Sequence, residues 1–101
     1  MQDNAFVANI VQTNGILVTL NDVVAVRVIS RYYNLLIMKD YMPVIGEVDG
    51  SLTIVGKTAK YEMPNGVAYF VNQNNEFTLI IKDDHGGTSK LTQGETAEIR
   101  A

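Results

Sequence analysis

Apolar and polar residues recur at intervals of two along this chain, the period of a half-buried β-strand. Val23 to Ser30 (VVAVRVIS) is the clearest case: Val24, Val26 and Val28 share one face, and Val23, Ala25, Arg27 and Ile29 the other. Ser51 to Val55 sets Leu52 and Ile54 inward, and Phe77 to Lys82 does the same with Phe77, Leu79 and Ile81. Phe6 to Val11, Ile16 to Leu20, Leu35 to Met38, Val44 to Val48, Thr58 to Met63 and Val67 to Val71 are further short strands. β-branched Val and Ile suit a pleated surface and lose side-chain freedom in a helix.

Turn chemistry separates these runs. Asn14-Gly15, Asp49-Gly50 and Pro64-Asn65-Gly66 supply the positive φ of tight turns. Asn21-Asp22, Arg31 to Asn34, Gly56-Lys57 and Asn72 to Glu76 read as further turns. Pro43 has no N–H and holds Met42 extended, so strand pairing is expected to lapse there. The pattern predicts an all-β fold, a small antiparallel two-sheet β-sandwich or flattened barrel of eight to ten short strands. Its predicted core is Val24, Val26, Val28, Leu52, Ile54, Phe77, Leu79 and Ile81. The domain is expected over residues 6–83, after an extension of residues 1–5. Residues 84–101 hold several glycines and few apolar residues, and are expected to form a polar tail.

With 101 residues and 47 % apolar content, the chain fits one globular domain. The net charge of −3, with scattered Lys and Arg, argues against a nucleic-acid surface. The absence of cysteine excludes disulfides and thiolate chemistry. The opening MQDNAF lacks the charged and apolar regions of a signal peptide. The uncharged run from Asn4 to Leu20 is broken by polar residues and is no spanning helix, so direct membrane insertion is not expected.

Candidate chemistry is sparse. His85, the single histidine, sits in a polar Gly-rich segment beside Asp83 and Asp84. A solvated turn explains that segment better than a metal site, which clusters its ligands. No nucleophile and base pair forms around it, so no catalytic residue, metal or cofactor is expected. The tyrosines are more suggestive, because tyrosine offers contact area and a polar tip at protein interfaces. Tyr32 and Tyr33 are adjacent in sequence, so one is expected to cover the core rim and the other to face water.

Taken in order, these segments resemble the N-terminal β-sandwich domain of the epsilon subunit of F-type ATP synthases, called delta in mitochondria. The resemblance runs over about residues 6–83. Phe6 to Val11 resembles the family's opening strand, and Val23 to Ile29 its Val-rich strand. Asp40-Tyr41-Met42-Pro43 stands where the family has a Gly-His-Ala-Pro-like segment, with the Pro kept. Asp49-Gly50 stands for a Pro-Gly turn, and Pro64-Asn65-Gly66 for a Ser-Gly-Gly turn followed by two strands. Asn34, Leu36 and Tyr41 replace an acidic residue, a glycine and a histidine of the ring-facing end.

The resemblance implies a non-catalytic central-stalk subunit that binds a gamma-type shaft and transmits torque. A c-type ring, or its replacement, would be a second partner. Such a subunit sits on the cytoplasmic or matrix side, peripheral to a membrane-associated complex. The family's C-terminal helical hairpin has no counterpart in residues 84–101. The implied interface is Tyr32, Tyr33, Asn34, Tyr41, Met42 and Pro43, gathered at one end of the sandwich. The alternative from a different class is a free-standing β-sandwich module that binds proteins or builds a structure.

Overall fold

The computed structural model describes residues 5–12, 15, 17–83 and 90–93. Among them the chain forms seven strands and no helix. These are β1 (Phe6–Val11), β2 (Leu17–Ser30), β3 (Asn34–Ile37), β4 (Val44–Gly56), β5 (Ala59–Gln73), β6 (Glu76–Asp83) and β7 (Lys90–Gln93). The all-β expectation holds. The strands form one sheet in the order β1-β6-β5-β4-β2, and β1 also pairs with β2, so five strands close into a barrel. β3 adds to β2 and β7 to β5 outside that ring. Of the expected sandwich or flattened barrel of eight to ten strands, the structure has the barrel, closed as a single sheet, with seven strands among the described residues. The expected antiparallel pairing also has an exception: β1 and β6 run parallel. Neighbouring strands of the ring alternate in direction, so in a ring of five the first and last point the same way.

The strand count is lower than expected because three predicted turns lie inside strands. Asn21-Asp22 is part of β2, Asp49-Gly50 part of β4, and Pro64-Asn65 part of β5. Each bends its strand without reversing it. On β5, Met63 faces Leu52 and Gly66 faces Gly50, so Pro64 and Asn65 stand opposite Ser51 alone. This is a β-bulge, and it gives Pro64 a position with no ladder bond to lose. Gly50 has a φ of 156°. A Cβ there would lie 2.3 Å from the Ile29 carbonyl oxygen, so only glycine permits this approach. True reversals occur elsewhere. Asn74 and Asn75 have φ of 51° and 58° and join β5 to β6 as a two-residue hairpin loop.

Bulges also correct the predicted core. Val23 faces Gly56 and Ala25 faces Val55, which leaves Val24 as the extra residue on β2. The phase of the strand shifts there. Val23 is fully buried and Val24 only half-buried, whereas Val26 and Val28 keep their expected inward positions. Leu52, Ile54, Phe77, Leu79 and Ile81 are buried as predicted. Phe70 stacks on Phe77 inside the barrel with ring centroids 5.6 Å apart. A fully buried side chain of this kind contributes about 1.5–3 kcal/mol by leaving water.

Lys90–Gln93, within the segment read as a tail, pairs antiparallel with Ala59–Glu62. His85 and Asp84 lie outside the described residues.

Candidate functional site

The six residues singled out for an interface fall in two segments of the chain, 32–34 and 41–43. Arg31 to Tyr33 and Tyr41 to Pro43 flank the short strand β3 and hold opposite ends of the first half of β4. The Arg31 N–H donates to the Asp49 carbonyl at 3.0 Å. At the other end the Asn72 side-chain amide donates to the Met42 carbonyl at 3.3 Å, and Asn72 faces Val44. The chain reverses between β2 and β3, and β3 and β4 both run antiparallel to β2.

Their exposures differ as well. Tyr32 is 79 % exposed and Met42 66 % exposed, while Tyr33 and Tyr41 pack against the core. Asn34 and Pro43 are exposed. Tyr33 donates its hydroxyl hydrogen to the Glu47 carbonyl, and its ring reaches over Gly46. Burial, and secondarily the charge of Glu47, raises the Tyr33 pKa above the usual tyrosine value. The Tyr41 segment is pinned to the β5–β6 loop by a reciprocal pair. The Asp40 N–H donates to Asn75 Oδ1 at 2.6 Å, and Asn75 Nδ2 donates to Asp40 Oδ1 at 3.1 Å. Asp40 has a positive φ of 66°, which Asp tolerates better than most residues.

A different surface unites more apolar area. Tyr69 faces Ile80 across β5 and β6, Ile80 faces Val11 on β1, and Val11 faces Leu17 on β2. These four form one row on the outside of the barrel. Beside it, Ile45 faces Val71 across β4 and β5. Ile45 is 75 % and Leu17 60 % exposed, and Tyr69 and Ile80 are exposed by more than two-fifths. The row has polar margins. Lys82 lies 5.5 Å from the centre of the Tyr69 ring, and Glu76 accepts a hydrogen bond from Asn9 Nδ2 at 2.7 Å. Sequence reasoning passed over this stripe because it scored each strand by its inward face. The available signal was a loss of alternation: Val67 to Val71 and Leu79 to Ile81 are apolar on both faces, more than a strand exposed to water on one side needs.

Two ion pairs lie on the surface of the described residues. Arg31 and Asp49 pair at 3.5 Å, and Lys60 and Glu62 at 3.4 Å, with all four side chains well exposed. Exposed pairs of this kind contribute at most about 1 kcal/mol. Among the described residues no three His, Cys, Asp or Glu side chains converge as a metal site would require. No described helix is long and apolar enough to cross a membrane. The arrangement is a five-stranded β-barrel with an apolar stripe on its outside. No protein-family model matches the chain, and no curated protein matches it.

Proposed function

We propose that this chain is a non-catalytic module that works by protein contact, burying the outer stripe of Tyr69, Ile80, Val11, Leu17, Ile45 and Val71 against a partner. The stripe carries the reading. Contiguous apolar surface of this kind is uncommon on a monomer and marks contact sites. Removing it from water is favourable by about 25 cal/mol per Å², and a standard contact covers roughly 800 Å² on each partner. Tyr69 has the character of an anchor, with a large ring beside Lys82. The barrel supports the role mechanically, because a closed ring of strands leaves little freedom to shear.

The resemblance to the epsilon family gives this proposal a specific form: a central-stalk subunit of a rotary ATPase that grips a gamma-type shaft, with a c-type ring or its replacement as a further contact. The Pro43 segment of the sequence supports that form. The long bent strands and the single closed sheet favour the general form, a free-standing protein-binding or structural module.

The test is co-purification of tagged chain from its native cells, followed by mass spectrometry, beside a Leu17→Asp/Ile80→Asp double variant. Both positions are exposed, so circular dichroism of the variant should match wild type. A stoichiometric partner held by wild type and lost from the variant is expected. A gamma-type shaft among the retained proteins selects the specific form. Identical partners for the two proteins would refute the role of the stripe.

A further inference from the structure

A second surface lies in the seam along the free edge of the first half of β4. From Gly50 onward β4 is paired on both sides, but Val44–Asp49 pairs with β5 alone. The free side of this half-strand can be read from its hydrogen bonds. Asp49 donates its N–H to Ser30 Oγ at 3.2 Å, its carbonyl accepts from Arg31, and the Glu47 carbonyl accepts from the Tyr33 hydroxyl. Backbone groups of alternate residues point the same way along a strand, so Ile45 also turns its N–H and carbonyl away from β5. Just before β3, the Tyr33 carbonyl accepts from the Ser30 N–H on β2. The Val44–Asp49 edge therefore faces a gap beside the Arg31–Tyr33 turn, and the Tyr33 phenol crosses it to the Glu47 carbonyl.

The gap holds a cleft of about 270 Å³ lined mainly by Tyr33, Leu35, Val44, Gly46 and Phe70, with Glu47 at its rim. Its floor is shaped by the missing side chain of Gly46: a Cβ there would sit 2.9 Å from the Phe70 ring and 3.1 Å from the Tyr33 hydroxyl. The Glu47 side chain is exposed, and the nearby Arg31 is engaged with Asp49.

We propose that this seam takes an extended peptide segment of a partner protein, added as an antiparallel strand to the Val44–Val48 edge and carrying a basic residue opposite Glu47. The antiparallel sense is that of both existing partners of β4. Register then sets the sequence. The residue opposite Glu47 shares its outward face, and opposite charges across a strand pair attract. The next residue points into the apolar cleft over Gly46. The one after lies beside exposed Ile45 and is apolar. Read from its N-terminus, the segment is basic, apolar, apolar. Main-chain bonds supply affinity and the two side-chain contacts supply selectivity, the usual division in strand addition. This site goes beyond the outer stripe, and either surface can fail alone.

The test is a titration of the whole chain, labelled with ¹⁵N, with the blocked peptide Thr-Lys-Val-Ile-Thr and its counterpart Thr-Glu-Val-Ile-Thr. Saturable shifts at the amides of Ile45 and Glu47 are expected with the Lys peptide. Its affinity should exceed that of the Glu peptide about fivefold, the scale of one cross-strand charge contact. Glu47→Lys, a change at an exposed position, should reverse the preference. Three results would overturn the proposal: no saturable shift at millimolar peptide, shifts confined to other strands, or equal affinity for both peptides. A chain that sediments as a dimer disrupted by Glu47→Lys would assign the seam to a second copy and overturn it as well.

Discussion

Replacing Gly50 with alanine tests the bend that lets β4 serve two parts of the barrel. The new Cβ would meet the Ile29 carbonyl oxygen at 2.3 Å and the Ser30 Cα at 3.3 Å. Both neighbours are backbone atoms of β2 in the paired region, so no side-chain rotation relieves the clash. The φ of 156° adds strain of its own, because this region is essentially restricted to glycine and costs other residues about 1–3 kcal/mol. Overpacking a fixed site costs about 1–3 kcal/mol more. Together they predict a loss of roughly 2–6 kcal/mol, a large share of the 5–15 kcal/mol typical of a domain. Urea unfolding followed by far-ultraviolet circular dichroism measures it, with the midpoint falling and the slope unchanged. Gly15→Ala is the control: φ there is 90°, but nothing lies within 4 Å of the added Cβ. Only the backbone strain remains, so its loss should be near 1 kcal/mol. A Gly50→Ala loss no larger than that of Gly15→Ala would refute the bend as described.

Two further predictions concern the bulge on β2 and Tyr33, whose hydroxyl reaches the Glu47 carbonyl on β4. Val23→Ala should destabilise the chain by about 2 kcal/mol or more by emptying core volume, whereas Val24→Ala should cost under about 1 kcal/mol; equal losses in urea unfolding would place the bulge elsewhere. Tyr33 has a raised pKa in the folded chain, so its neutral form is favoured by folding. That contribution is complete below the ordinary tyrosine pKa of about 10 and is lost as pH rises through the higher folded value. Unfolding curves against pH should show wild type losing this stability in alkali and Tyr33→Phe losing less; matching alkaline slopes would contradict the contact with Glu47.

The sequence by itself determined the strand class and most of the inward faces. Val26, Val28, Leu52, Ile54, Phe77, Leu79 and Ile81 lie inside because period two is a local property of extended backbone, readable from spacing alone. It also placed the chain reversal before β6, since Asn74 and Asn75 tolerate positive φ wherever they occur. Whether Asp49-Gly50 and Pro64-Asn65-Gly66 reverse the chain or bend it was decided only by the tertiary structure. The same residues suit both outcomes, and the choice rests on what lies opposite: Gly66 meets Gly50 across the ladder, and Ile29 presses on Gly50 from the other side. Val24 left the core for a similar reason, because a bulge arises from matching two strands and leaves no mark on one. The candidate site was legible in part. Adjacent Tyr32 and Tyr33 divide between water and core. The row of Tyr69, Ile80, Val11 and Leu17 comes from four different strands, and only closure of the ring, with its register, brings them side by side.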